Sequence, residues 1–172
     1  ITPLLADGEA FRATVDALIG PFAGRFDVVA GIEARGFLFA CAAAVVSGTG
    51  MVPVRKAGKL PQPAVTMDYA LEYGTASIEM HADLEAGTRV LLIDDVLATG
   101  GTVAATLRML EQLGYPVCGT SVLFEIEAWD VNCPQHIHKR YPASVVAPAL
   151  EKLQREVGEL RARLARYEGG PA

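Results

Sequence analysis

The sequence of 172 residues has few cysteines, no excess of basic residues and no apolar run of membrane-spanning length. Cys41, Cys118 and Cys133 are odd in number and lack the CxxC spacing of metal sites, which is typical of proteins in a reducing compartment. The net charge of -5 argues against a general nucleic-acid or anionic-membrane surface. The longest apolar run, near residues 37–46, is too short to span a bilayer, and no secretory signal pattern is present. We therefore expect a cytoplasmic protein that binds neither nucleic acid nor membrane.

The chain does contain a regular alternation of apolar strands and helices. Its 51% hydrophobic content suits one compact domain with a well-formed core. Strands are predicted at residues 26–31, 51–56, 76–81, 88–95 and 117–126, and helices at 9–19, 35–46 and 102–114. With right-handed crossovers, this order predicts an α/β fold with a doubly wound parallel sheet. Residues 57–75 are rich in Gly and Pro and predict a long flexible loop, whose other arm could pair with the strand at 76–81.

The pattern changes after residue 128. Within residues 129–147, the stretch CPQHIHKRYP at 133–142 is polar and rich in proline, so this region is predicted to be a connector. Residues 148–168 carry apolar side chains at alternating three- and four-residue steps, which predicts an amphipathic heptad-like helix. A dimer zipper, an intramolecular cap and a solvated tail are all open roles for that helix. Cys133, His136 and His138 are weak evidence for a metal site, and a polar loop is the better interpretation.

The most informative stretch is VLLIDDVLATGGT at residues 90–102. Its apolar run predicts a strand buried on both faces, and ligands of parallel sheets bind at the carboxyl ends of strands, where Asp94 and Asp95 stand. Gly100 and Gly101 allow a tight turn, and the helix beginning near Thr102 offers N–H groups and a positive dipole end to a phosphate. The two carboxylates suit a ribose diol or a nearby Mg²⁺. The stretch therefore predicts a ribose 5-phosphate site.

This stretch also has two other interpretations. The first is a strand end with solvated acids and an ordinary glycine turn, which explains its parts only one at a time. The second is a nucleoside-triphosphate-binding P-loop, which the absence of a GK[ST] sequence argues against.

The stretch at 90–102 resembles the phosphoribosyl-pyrophosphate (PRPP) motif of the type I phosphoribosyltransferases. Three further segments resemble, in order and spacing, those of the adenine phosphoribosyltransferases: GIEARGFLFA at 31–40, VPVRKAGKLP at 52–61 and YALEYGTASIEMH at 69–81. The resemblance extends to about residue 126 and implies a type I phosphoribosyltransferase-like core over residues 1–128. It implies a pentosyltransferase of purine salvage that makes AMP and pyrophosphate from PRPP and adenine. It also implies Mg²⁺ carried by PRPP, and a cytoplasmic homodimer.

The resemblance divides the site residues into three groups. Those implied for ribose 5-phosphate are Asp94, Asp95, Ala98, Thr99, Gly100, Gly101 and Thr102. Those implied for pyrophosphate are Arg35, Arg55, Lys56 and Lys59, the last three brought in when the loop closes and excludes water. Those implied for catalysis are Glu72, which would manage the proton of the base, and Arg55, with Tyr73 near the base or sugar. No protein side chain is assigned as a metal ligand, and Mg²⁺ would lie near Asp94 and Asp95. The 33–36 loop often contains a non-proline cis peptide in this family.

Each of these groups also has a simpler interpretation. Arg35 could cap surface carbonyls, the cations at 55–59 could be a solvated charge run, and LEYG at 71–74 could be the turn of a hairpin.

The sequence departs from the family pattern in two places. The N-terminal segment that covers the base in this family lies upstream of Ile1 and is missing from the sequence, and a GR-containing segment is replaced by AWDVNCPQHIHKRYP after Glu127. A transferase for another nucleobase and a non-catalytic PRPP-sensing regulator are therefore the alternatives. Glu72 and the RKAGKLP loop favour the enzyme, because a sensor needs no base chemistry. No basic DNA-binding element is apparent, which disfavours a transcriptional sensor.

Overall fold

The computed structural model describes residues 1–71 and 74–125, so the predicted connector and heptad-like helix lie outside the described residues. The described residues divide into two compact units, the first ending at Ala17 and the second beginning at Leu18. Helix α1 spans Thr2–Ala6 and helix α2 spans Gly8–Ile19. No helix within the described stretches is long and apolar enough to cross a membrane.

Among the described residues, the second unit contains a six-stranded sheet. Its strands are β1 (Val28–Ile32), β2 (Gly50–Lys56), β3 (Val65–Leu71), β4 (Gly74–Met80), β5 (Val90–Leu97) and β6 (Val117–Glu125), in the spatial order β3-β4-β2-β1-β5-β6. Strands β2, β1, β5 and β6 run parallel, whereas β4 is antiparallel to both β2 and β3. The predicted α/β class and parallel core are confirmed, with an antiparallel hairpin added at one edge.

Helices α3 (Gly36–Ser47) and α4 (Gly101–Gln112) cover opposite faces of this sheet. Successive residues of a strand point to opposite faces, and β1 displays this clearly. Ala30 belongs to a buried cluster with Met109 of α4. Its neighbour Gly31 lies so close to α3 that an added Cβ would come within 2.6 Å of the Ala40 Cβ. This is the doubly wound arrangement that the order of strands and helices predicted.

The prediction of one long loop over residues 57–75 is wrong in part. Residues 65–71 form β3, which pairs with β4 from Val65 opposite Met80 to Leu71 opposite Gly74. Tyr69 belongs to the buried core and Met67 packs against it, so burial of alternate side chains stabilises this strand. The described loop after β2 is therefore confined to residues 57–64.

Candidate active site

The acidic pair lies within β5, two residues before its end. The predicted strand stopped at residue 95, but β5 continues to Leu97 because β6 pairs with it as far as Glu125. On the other side, β1 pairs with β5 only up to Ile93. Beyond that point the edge of β5 is open to the loop at residues 33–36, which connects β1 to α3. The acids therefore emerge beside this loop.

Arg35 connects the loop to the acidic pair. It is the N-cap residue of α3, and its Nε donates a hydrogen bond to Oδ2 of Asp95. The Asp95 side chain is 8% exposed and the Arg35 side chain is 60% exposed, so the carboxylate is buried while the guanidinium still faces solvent. The structure thus brings a residue predicted for pyrophosphate into contact with one predicted for ribose. The peptide bond between Glu33 and Ala34 is cis, as the resemblance implied.

Asp94 has different surroundings from its neighbour. Its Oδ1 accepts a hydrogen bond from the Asp95 backbone N–H at 2.8 Å. Burial raises the pKa of Asp94 to about 7, and the negative charge of Asp95 adds to this effect while the hydrogen bond and Arg35 oppose it. Gly36 lies against this carboxylate, because a Cβ added there would be 2.9 Å from Asp94 Oδ1. The absence of a side chain at Gly36 lets the first turn of α3 approach β5.

The loop after β5 has the geometry of an anion site. Ala98 and Thr99 are exposed, and Gly100 adopts a left-handed conformation with φ of 77° as the N-cap of α4. The helix begins at Gly101, and Thr102 is its next residue. The first N–H groups of a helix have no carbonyl partner within it and lie at the positive end of its dipole. These N–H groups lie directly after the acids, and the phosphate-binding role of residues 98–102 stays a prediction.

Glu33 gathers the predicted cations on the other side of the 33–36 loop. Its carboxylate accepts hydrogen bonds from Lys59 Nζ at 2.5 Å, from the Lys56 backbone N–H at 3.0 Å and from Arg55 Nε at 3.3 Å. Burial opposes ionisation of Glu33, but these hydrogen bonds outweigh it and lower its pKa to about 2. Arg55 and Lys59 are thus held together by one carboxylate, while Lys56 contributes its backbone N–H to it.

Glu79 holds the backbone of the same loop. This residue of β4 is 3% exposed, and its carboxylate accepts hydrogen bonds from three backbone N–H groups. The distances are 3.0 Å from Gly58, 2.7 Å from Lys59 and 2.5 Å from Leu60. The hydrogen bond from Leu60 is the largest of the effects that keep the pKa of Glu79 below its usual value.

The family resemblance places Glu33 in the pyrophosphate loop without a role of its own and gives no role to Glu79, although the sequence carries a signal for each. Glu79 stands between Ile78 and Met80, both fully buried, so it is a charged residue in an otherwise apolar stretch of strand. Glu33 lies in the EARG segment next to Arg35. Their partners lie about 20 or more residues away along the chain, so no local pattern indicates them.

The 33–36 loop connects the acidic pair to the cations of the neighbouring loop. Glu33 contacts Arg55 and Lys59, while Arg35 contacts Asp95. Glu72 and Tyr73 lie outside the described residues, as do Cys133, His136 and His138, and the roles predicted for them stay predictions.

The described stretches hold no group of three His, Cys, Asp or Glu side chains placed to bind a metal ion. Asp94 and Asp95 are two hard oxygen donors, which fits a Mg²⁺ ion that takes its remaining ligands from phosphates and water.

Comparison with known proteins gives a consistent result. The chain matches the phosphoribosyl transferase domain family over residues 8–146. It is 59% identical over 127 residues to an adenine phosphoribosyltransferase of Arthrobacter sp. (strain FB24), covering 73% of this chain and 69% of that protein. A crystal structure of adenine phosphoribosyltransferase from Rhodothermus marinus DSM 4252 matches with a TM-score of 0.75 and 45% identity, covering 80% of each chain. The Saccharomyces cerevisiae enzyme, complexed with an imino-altritol bisphosphate and adenine, matches with a TM-score of 0.69 and 36% identity, covering 73% of this chain and 74% of that one.

Proposed function

The chain belongs to the phosphoribosyl transferase family, and within it to the adenine phosphoribosyltransferases, and we propose that the residues around the 33–36 loop carry out this transfer. The reaction joins N9 of adenine to C1 of the ribose of PRPP. The C1–oxygen bond to pyrophosphate breaks, and its electron pair leaves with the pyrophosphate, so that AMP is formed in purine salvage. The observation that carries this assignment is that a single loop contacts both the acidic pair and the cationic cluster.

The ribose 5-phosphate half of PRPP is assigned to β5 and the start of α4. Asp94 and Asp95 accept hydrogen bonds from the two ribose hydroxyls, because ionised carboxylates are acceptors only. Residues 98–102 take the 5-phosphate on the N–H groups that precede and open the helix. The buried position of Asp95 and the open phosphate loop support this division.

The pyrophosphate half is assigned to four cations: Arg35, Arg55, Lys56 and Lys59. In the described molecule, Arg35 is paired with Asp95, and both Arg55 and Lys59 are paired with Glu33. Binding of PRPP therefore exchanges partners: Asp95 takes the ribose and releases Arg35 to the diphosphate. A guanidinium is suited to this, since its planar donors fit phosphate oxygens in pairs.

Glu72 is assigned the proton that leaves N9 of adenine, and Tyr73 a place near the base or sugar. The two residues lie between the ends of β3 and β4, a hairpin that joins the sheet beside Arg55. The adenine bound to the Saccharomyces cerevisiae relative supports a base site in this family.

Mg²⁺ bound near Asp94 and Asp95 would offset the charge of the leaving pyrophosphate.

A cytoplasmic homodimer is the assembly we propose. Support comes from α3, whose outer face is apolar: Val45 is 83% exposed, Leu38 is 47% exposed, and Cys41 is exposed between them. Large apolar side chains in one exposed stripe are typical of an interface, and a two-fold dimer covers such a stripe with its own copy. α3 starts at the active-site loop, so this interface would lie close to both sites.

The assignment of the acidic pair is tested by substituting both residues. Asp94→Asn with Asp95→Asn keeps the side-chain shapes but removes the negative charge that the two carboxylates can carry. We expect Mg·PRPP binding to weaken by about a hundredfold or more, since hydrogen bonds to charged groups contribute about 1.5–3 kcal/mol each. Calorimetric titration of Mg·PRPP, with circular dichroism as the folding control, measures this. Unchanged PRPP affinity in a folded double variant would show that Asp94 and Asp95 do not bind PRPP.

A further inference from the structure

We propose that Glu79 is a positioning residue for the pyrophosphate half of the site, acting on Arg55 and Lys59 through the loop backbone. The inference rests on the proposed function, because it concerns the cations assigned to pyrophosphate. Neither the PRPP motif nor the other segments that carry the family resemblance required a role for this side chain.

Backbone N–H groups of the loop surround the Glu79 carboxylate. Three consecutive backbone N–H groups, of Gly58, Lys59 and Leu60, converge on its two oxygens. Successive N–H groups that converge in this way form an anion-binding concavity. Gly58 makes the turn possible with φ of 84°, a conformation that side chains disfavour. The concavity is filled by a carboxylate from the protein itself, so it fixes the loop.

The loop backbone that Glu79 holds is connected to the two cations through Lys59. Lys59 has three separate attachments: its N–H is held by Glu79, its carbonyl accepts a hydrogen bond from Arg55 Nη1 at 3.1 Å, and its Nζ contacts Glu33. Arg55 is also the residue directly opposite Glu79 in the pairing of β2 with β4. A shift of the backbone at Lys59 would therefore move both cations.

Glu79 and Glu33 act on the cations in different ways. Glu33 contacts the cationic side chains themselves, so a pyrophosphate that binds Arg55 and Lys59 competes with it. The hydrogen bonds of Glu79 within the described stretches go to backbone N–H groups, and its interaction with the Arg55 charge occupies none of the Arg55 donors, so Glu79 does not compete with the ligand for them. Glu79 is also almost fully buried, and a buried carboxylate is kept only where such donors surround it. Glu79 therefore stays in place while the ligand binds.

The test is a kinetic comparison of Glu79→Gln and Glu79→Ala with the wild-type enzyme, using Mg·PRPP and adenine. Gln keeps the length of the side chain and one acceptor oxygen, whereas Ala removes all three hydrogen bonds. We expect the KM for PRPP to rise about tenfold in Glu79→Gln and further in Glu79→Ala, while the KM for adenine changes by less than about twofold. The inhibition constant of pyrophosphate should rise together with the KM for PRPP.

The matched control is Asp68→Asn. The Asp68 carboxylate lies on the same hairpin and faces solvent, and it accepts a hydrogen bond from Ser77 Oγ at 2.5 Å. It should leave both KM values unchanged. A purely structural role for Glu79 would lower the concentration of active enzyme and hence kcat, with the KM for PRPP unchanged, and that result would overturn the inference. If Glu79→Ala fails to fold, Glu79→Gln alone decides. Failure of the wild-type enzyme to form AMP would instead contradict the proposed function.

Discussion

Asp94 and Asp95 are adjacent carboxylates whose surroundings give them different chemistry. Asp95 is paired with the guanidinium of Arg35, whereas Asp94 is partly buried and accepts a hydrogen bond from the Asp95 backbone N–H. Burial raises the pKa of Asp94 to about 7. Near neutral pH, Asp94 is therefore only partly ionised before a ligand arrives, whereas a ribose hydroxyl hydrogen-bonds best to the ionised form.

The raised pKa of Asp94 predicts that PRPP binding depends on pH. Because the ionised Asp94 is the better acceptor, Mg·PRPP affinity should increase as pH rises from about 6 to about 8, through the raised pKa. Calorimetric titration across this range measures the effect. The phosphate groups of PRPP titrate in this range too, so Asp94→Asn is the control. This variant should keep the pH dependence that comes from PRPP and lose the part that comes from Asp94. Identical pH profiles for the two proteins would contradict this role of Asp94.

The chemistry of single residues was predictable from the sequence only where partners are close along the chain. Asp94, Asp95 and the glycines that follow form one contiguous stretch, and their common location could be inferred from it. The contact between Arg35 and Asp95 joins residues 60 positions apart, and nothing local indicates it. The roles of Glu33 and Glu79 depend in the same way on how β1, β2 and β4 lie together in the sheet.

At the scale of elements, α3 owes its position to glycines that allow close contact. Gly31 of β1 lies against Ala40, and Gly36 of α3 lies against Asp94. The apolar runs of β5 and α3 predicted both elements, because strands buried on both faces and buried helices are apolar throughout. The pairing of β4 with the other arm of the loop was expected, but β3 was not assigned as a strand because Pro61 and Pro63 dominate the segment before it, although Val65, Met67 and Tyr69 alternate as in a strand.

Substitution of Gly36 tests the link between α3 and the acids. In Gly36→Ala, the new Cβ would meet Asp94 Oδ1 at 2.9 Å and the Ile93 carbonyl oxygen at 3.0 Å, so the helix or the carboxylate must shift. We expect Mg·PRPP affinity to fall about tenfold, with some loss of stability, as overpacking costs about 1–3 kcal/mol.

The control for this substitution is Gly48→Ala at the other end of α3. Gly48 has φ of 70° and no atoms within 4 Å of an added Cβ, so its substitution strains only the helix end. We expect a lower melting temperature with unchanged PRPP affinity. Equal affinity losses in the two variants would mean that general destabilisation, rather than the contact with Asp94, explains the effect of Gly36→Ala.

At the scale of the whole molecule, the exposed apolar stripe of α3 predicts self-association. Size-exclusion chromatography with light scattering should give about twice the 18.2 kDa mass of the chain. Val45→Glu places a charge in the stripe and should shift the protein to the monomer, because burying an unpaired charge is costly. Gln112→Glu adds the same charge at an exposed position of α4 and should leave the dimer intact. A Val45→Glu protein that keeps the dimer mass would exclude this face as the interface.

The activity that the fold and the site support is transfer of ribose 5-phosphate from PRPP to adenine. The direct measurement is product analysis after incubation of the protein with Mg²⁺, PRPP and, in separate reactions, adenine, hypoxanthine, guanine, xanthine or orotate. We predict AMP and pyrophosphate in equal amounts with adenine, and no nucleotide with the other bases. PRPP binding without turnover of any base, or turnover of a base other than adenine, would contradict the account.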